Sequence, residues 1–238
     1  MITSHTDVIG SLLRPLELLA ARDARARGQI SESEFKATED EAVDDAIVLQ
    51  EGVGLGIATD GEMRRLSFQS EMTEAVDGFG EHNIDAFLWG EWHGDSHVGE
   101  WRKERSRTLG VVGKLTRKRH LSAEEFAYLR SRTRRVPKIT LPSPGLFVNF
   151  WSEDRSVGAY PTVNTFLADV VDVLRDEVTE LVRLGATYIQ LDAPHYPLLF
   201  DPHTRHFYEK LDPSLDHWLA MDNAVMSGFP EVTFGFHL

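Results

Sequence analysis

Residues 162–192 read Thr-Val-Asn-Thr-Phe-Leu-Ala-Asp-Val-Val-Asp-Val-Leu-Arg-Asp-Glu-Val-Thr-Glu-Leu-Val-Arg-Leu-Gly-Ala-Thr-Tyr-Ile-Gln-Leu-Asp. In the first part Val163, Phe166, Leu167, Val170, Leu174, Val178, Leu181 and Val182 form a stripe at helical spacing, predicting a helix over Thr162 to Leu184. Gly185 stands at the C′ position, where a left-handed residue ends a helix. Tyr188 to Leu191 then reads as a strand that runs into Asp192. A long helix, a tight turn and a short apolar strand make the repeating unit of parallel β/α architecture.

The same alternation extends in both directions. Val8 to Leu13 reads as a strand, and Pro15 opens a first helix that ends near Gly28. Ser31 and Glu34 have the form of a capping box before a helix with Phe35, Ala42, Val43, Ala46, Ile47 and Val53 on one face. Leu55 to Thr59 is a strand closing on Asp60-Gly61-Glu62, and a helix from about Ser67 leads to Gly78. Residues 79–110, with three tryptophans among glycines and histidines, read as an irregular excursion, a hairpin or a long loop. Leu109 to Leu115 is read as the third barrel strand, and Ser122 with Glu125 as a second capping box. Lys138 to Leu141 is a strand running into Pro142-Ser143-Pro144-Gly145, Leu215 to Met226 a helix, and Val232 to Leu238 a last strand. With no repeat or linker in view, residues 1–238 are taken as a single domain.

The composition, 42% hydrophobic and 26% charged, is that of an ordinary globular chain. A net charge of −13 disfavours nucleic acid or an anionic membrane as partner, since both would be repelled. The most basic stretch, Arg102 to Arg119, has apolar residues at strand-like spacing and reads as a solvated hairpin face. With no cysteine, disulfides and thiol catalysis within these residues are excluded. Neither a leader pattern nor an apolar run long enough to span a bilayer is seen, so the expected location is the cytoplasm. Homo-oligomerisation is left open.

Four strands end on polar or tight-turn motifs: Ile9-Gly10-Ser11, Thr59 to Glu62, Pro142-Ser143-Pro144 and Gln190-Leu191-Asp192. In a parallel barrel these ends converge on one face, where active sites lie. Glu62 and Asp192 would then face a common cavity, to bind an ammonium group, hold a metal or act as acid and base. Capping is an equal reading for Asp60 or Asp192 alone. His237 joins the set at a strand tip, though a lone histidine is more often structural. His93 with His97 and His203 with His206 are loose pairs on no clear helix, and phosphate-loop and dinucleotide fingerprints are absent.

Taken in order, Ile9-Gly10-Ser11 with Leu13-Arg14-Pro15, Thr59 to Arg65, Leu141 to Pro144, Tyr188 to Pro194 and Phe234 to His237 resemble the cobalamin-independent methionine synthase family, in particular its short single-barrel members. The resemblance implies a (β/α)8 TIM barrel with zinc at its C-terminal face. There a metal-bound thiolate would attack a methyl group carried by a folate, a step of methionine biosynthesis. It implies that Ser11 and Glu62 hold the amino-acid end of the thiol, that Asp192 receives its ammonium group and that His237 is the first zinc ligand. The Pro142–Gly145 loop, with Ser143, would line the methyl-donor side.

Two departures bear on this. The residue after Asp192, usually acidic in the synthases, is Ala193, which puts homocysteine in question beside other thiols such as coenzyme M; His195 becomes an added pocket contact. The family also places a cysteine ligand two residues beyond the zinc histidine, where here only Leu238 follows. One imidazole is not a zinc site, and the six strands counted are fewer than the eight of a closed barrel. The expectation is therefore an incomplete barrel, the natural chain continuing past Leu238 or, less simply, a partner completing it. Two other readings are carried. One is a metal-free enzyme like uroporphyrinogen decarboxylase, with Asp60, Asp192, Arg14 and Arg64 handling a polycarboxylate. The other is a non-catalytic fragment that needs its missing part.

Overall fold

The computed structural model describes residues 6–81, 109–200 and 215–238. Its centre is a four-stranded parallel sheet formed by β1 (Ile57–Ala58), β4 (Val136–Pro142), β5 (Tyr188–Asp192) and β6 (Thr233–His237), in that spatial order. The register sets Lys138 beside Tyr188, Thr140 beside Gln190 and Pro142 beside Asp192; on the far side of β5, Gln190 faces Gly235 and Asp192 faces His237. Because side chains alternate along a strand, Ile139, Leu141, Ile189 and Leu191 share the opposite face, where all four are buried. A helix covers that face.

This helix is α6 (Val163–Arg183), the element expected from the opening stretch. Phe166, Leu167, Val170, Leu174, Val178 and Leu181 are buried on its stripe, each contributing roughly 1.5–3 kcal/mol by leaving water. Its start is a capping box between Thr162 and Thr165, which lacks the usual Glu or Gln. Helix α7 (Leu215–Met226) packs beside it, with Trp218 and Val225 buried. On the other flank α1 (Leu16–Ala26) and α2 (Glu32–Gly52) form a second cluster around Leu18, Phe35, Val43 and Ile47, and the expected Ser31–Glu34 capping box is formed.

Two expected barrel strands take other forms. Residues 109–115 belong to β3 (Leu109–Arg117), which pairs antiparallel with β2 (Val76–Glu81) in a separate two-stranded sheet. This hairpin follows the short helix α3 (Ser70–Ala75) and precedes α4 (Ala123–Arg132), so β1 and β4 pair directly and everything between them is one crossover. A register shift between Asp77 and Phe79 bends the hairpin, and Gly78 there has φ 111; a Cβ would lie 2.8 Å from the Lys114 carbonyl. Phe79 then packs edge-on against Phe150 and Phe166. The four-residue helix α5 (Glu153–Ser156) supports β3 through a bond from Ser156 Oγ to the Val111 carbonyl.

Residues 8–13 form no strand. Their carbonyls are taken by side chains instead of by a ladder: Lys138 Nζ donates to Val8 O at 2.6 Å and Gln190 Nε2 to Ile9 O at 2.7 Å. The second expected capping box is also absent. Ser122 heads α4 without a side-chain cap, its hydroxyl receiving Arg65 while its N–H goes to Glu177. The basic stretch is described from Leu109 onward, where Lys114, Arg117, Lys118 and Arg119 pair with Asp169, Asp176, Asp77 and Glu71 on a solvated face. The paired histidines at 93, 97, 203 and 206 lie outside the described residues. None of the described helices is long and apolar enough to cross a membrane.

Candidate active site at the carboxyl ends of the strands

β1 ends in a turn built by side chains. Gln50 of α2 clasps Thr59, accepting from its N–H at 2.9 Å and donating to its carbonyl at 2.8 Å. Thr59 Oγ1 then accepts from the Gly61 N–H and Asp60 Oδ1 from the Glu62 N–H. Gly61 has φ 67, and its neighbour is left-handed too: Glu62, at φ 54, is the one non-glycine residue with positive φ among the described residues. A left-handed side-chain residue costs about 1–3 kcal/mol and persists only where its surroundings hold it.

That backbone aims a buried carboxylate inward. Ser11 donates to Glu62 Oε2 at 2.5 Å, and Thr140 of β4 donates to Oε1 at 2.7 Å. Behind them Arg65 is almost fully buried, bonding Glu125, Thr140 and Ser122 and standing 3.7 Å from Glu62. Burial and the charge of Glu125 push the Asp60 carboxyl up to about 6, although Arg65 opposes the shift. Among the described residues Asp60 Oδ2 has no hydrogen-bond partner. Burial and Glu125 likewise raise Glu71 to about 7.

Across the sheet, Asp192 Oδ1 accepts from Gln190 Nε2 at 2.7 Å and lies 3.0 Å from His237 Nδ1. Burial raises the Asp192 carboxyl above its usual value, and these two bonds oppose that. Gly10, Ser11, Glu62, Phe68, Asp192, Pro194 and His237 together line a cleft of about 200 Å³. Four of the residues singled out in the sequence, Ser11, Glu62, Asp192 and His237, are thus brought together.

Ser143 and His195 are not among them. Ser143 is buried and donates to Asp222 Oδ1 at 2.7 Å, while Tyr196 donates to the other oxygen at 2.5 Å. His195 lies beneath, its ring centre 4.8 Å from that of Tyr196 and 4.6 Å from that of Trp218. Among the described residues neither of its ring nitrogens has a partner, and burial pushes the imidazole down to about 3. The sequence reading missed Arg65, Thr140, Lys138 and Gln190, which hold the cleft from below; the one available signal was the polar period-2 row Lys138, Thr140 and Gln190, Asp192. Arg14 is spent on the carbonyls of Glu62 and Arg65, and Arg64 pairs with Glu39 and Asp40. Among the described residues, a polycarboxylate would therefore meet carboxylates in this cleft and no guanidinium.

As a test of zinc, His237 has the form of one ligand. A carboxylate engages Nδ1 and leaves Nε2 uncommitted, the usual arrangement behind a metal-bound imidazole. A zinc centre takes about three protein ligands plus substrate, and among the described residues no group of three His, Cys, Asp or Glu is placed to hold an ion. The residues present fit one corner of such a centre and not the whole.

A parallel sheet with facing helices, and a carboxylate-lined cleft at its strand ends, places the protein in the α/β class, to which the β/α barrels belong. The family described as "Cobalamin-independent synthase, Catalytic domain" matches residues 4–201, and the chain belongs to that family. A methionine synthase of Pyrococcus abyssi is 33% identical over 194 residues, 79% of this chain and 51% of its own length. A 5-methyltetrahydropteroyltriglutamate–homocysteine methyltransferase of Thermosynechococcus vestitus is 30% identical over 189 residues, 79% of this chain and 23% of its own. The solved structure of a B12-independent methionine synthase from Shewanella sp. W3-18-1, in complex with selenomethionine, superposes with a TM-score of 0.70 at 20% identity. That match covers 96% of this chain and 59% of the other, and places the fold as part of a TIM barrel. The chain spans about half the length of curated relatives such as the Pyrococcus synthase.

Proposed function

We propose that this chain carries the amino-acid-binding part of an S-methyltransferase site, in which a folate-type donor methylates a thiol of the homocysteine class. The observation that carries the proposal is the pairing of Glu62 and Asp192 across one cleft that, among the described residues, no lysine or arginine lines. Glu62, with its ion pair to Arg65 behind it, and Asp192, with His237 beside it, can each receive an ammonium group in the cleft by charge-assisted hydrogen bonds. Ser11, whose hydrogen goes to Glu62, turns its oxygen lone pairs to the same space. Phe68 and Pro194 supply apolar wall for the carbon chain of the thiol. The names of the family's relatives, methionine synthase and homocysteine methyltransferase, support the same substrate class.

His237 is proposed as one zinc ligand, oriented by Asp192, with the remaining ligands outside the residues described. Zinc, when bound, lowers the pKa of a coordinated thiol and so supplies a thiolate near neutral pH. Ser143 and His195 are proposed to support the Pro142–Gly145 turn from beneath the donor side, because Gly145 packs against the Nε2 edge of the His195 ring.

Calorimetric titration with homocysteine tests the reading. The protein should bind it, and Asp192→Asn should weaken binding by about 10-fold to 100-fold, the range for one charged hydrogen bond at a buried site. Absence of binding to any amino-acid thiol at millimolar concentration would overturn it.

A further inference from the structure

The inner face of the sheet beneath the cleft is polar where such barrels are usually filled with branched aliphatic side chains. At its base Lys138 is fully buried. The ammonium group bonds Val8 O, pairs with Asp7 at 3.2 Å and donates to Gln190 Oε1 at 2.7 Å. Gln190 is buried as well, and its amide is fully used. Oε1 accepts from Lys138, while Nε2 donates both to Ile9 O, two residues before Ser11, and to Asp192 Oδ1. Since an ammonium group only donates, Lys138 fixes which way the amide points. A flipped amide would set its NH2 against the ammonium and its oxygen against a carbonyl and a carboxylate.

We infer that Gln190, oriented by Lys138, is a positioning residue that sets the distance between the Ser11 and Asp192 walls of the cleft. Among the described residues it bonds both walls, and the segment carrying Ser11 has no strand ladder, its one backbone bond to the β1 turn running from the Leu12 N–H to Gly61 O. This inference rests on the proposed ammonium site. Gln190 itself is absent from the cleft lining and acts through Asp192 and the 8–11 backbone.

The test compares two thiols, homocysteine and 4-mercaptobutyrate, which lacks only the amino group. Gln190→Met removes all three bonds at similar volume and should weaken homocysteine binding by about 10-fold or more while changing 4-mercaptobutyrate by less than about threefold. Hydrogen exchange over residues 7–12 should quicken. If the Met variant does not fold, Gln190→Glu serves in its place. It keeps the bond from Lys138 but offers no hydrogen to Asp192 or Ile9, and the same amine-selective loss is expected. Equal losses for both thiols, or none, would overturn the inference. If the native protein binds neither thiol, the proposed function fails by itself. Exchange at 7–12 then still decides the coupling: unchanged rates sink it, and faster rates uphold it.

Discussion

Arg65→Met is the most demanding perturbation of the site's support. Arg65 is 1% exposed and makes five hydrogen bonds, two to Glu125, two to Thr140 and one to Ser122. Removing one partner of a buried ion pair costs about 3–5 kcal/mol, because the charges left behind are neither solvated nor paired. Against a total stability of roughly 5–15 kcal/mol that is a large fraction, equivalent to about 6–20 °C in melting temperature for a chain of this size. The deficit should also depend on pH. Asp60 has a folded pKa of about 6, above its unfolded value, so its charge opposes folding above that pH and the penalty fades as pH falls. Without Arg65 this penalty grows, and protonation relieves more of it. Urea unfolding followed by circular dichroism at pH 7.5 and 5.5 should therefore show a smaller deficit at the lower pH. A variant within about 1 kcal/mol of the native protein at pH 7.5, or a deficit that widens on acidification, would refute this account of the buried network.

Further outcomes follow from the cluster under the cleft. His195 is pushed down to about 3 from an unfolded value near 6.5, so the unfolded chain takes up a proton first and stability falls as pH drops below 6.5. The slope approaches about 1.4 kcal/mol per pH unit, and His195→Leu should flatten it between pH 6.5 and 4.5 in a stability-against-pH series. Gly145→Ala should cost about 1–3 kcal/mol, because the added Cβ would lie 2.5 Å from His195 Nε2. In a His195→Ala background that cost should vanish, which a double-mutant cycle reads directly. On the proposed role of His237 as a zinc ligand, His237→Ala should lower the zinc retained by dialysed protein, measured by elemental analysis, while the melting temperature stays within about 2–4 °C, since the His237 side chain is partly exposed and bonded once.

The strand ends were legible in the sequence because each joins a short apolar run to a chemically distinct motif. Asp60-Gly61-Glu62 and Gln190-Leu191-Asp192 announce both the end of a strand and a carboxylate at its tip. The partner of a strand was not legible. Residues 109–115 have a period that fits any sheet, and only the antiparallel match to Val76–Glu81 makes them a hairpin arm. Residues 8–13 have strand-like composition but lend their carbonyls to Lys138 and Gln190, a choice made by side chains 130 and 181 positions away. Cap chemistry misled in both directions. Thr162 and Thr165 formed the box without an acidic residue, and Ser122 gave its hydroxyl to a buried arginine.

The same long-range bonds explain why the lower layer of the site escaped notice. Lys138 reads as a charged residue at a strand start, where solvent exposure is the ordinary outcome. Its burial makes sense only when the register is known, since Lys138 heads the row that continues through Thr140 and faces Tyr188 and Gln190. An aliphatic row there would pack as well and avoid the desolvation of a charge, which lowers the Lys138 pKa. What it would not do is hold Glu62 and Asp192 apart with an empty space between them. Burial and, after it, the charge of Glu62 across the cleft are among the causes that raise the Asp192 carboxyl, and unsupported side chains would swing outward. Thr140 and Arg65 fix Glu62 from one side, while Lys138 through Gln190 fixes Asp192 from the other. The polar interior is thus a framework that holds two carboxyl groups apart across the cleft, the spacing that the proposed ammonium site requires.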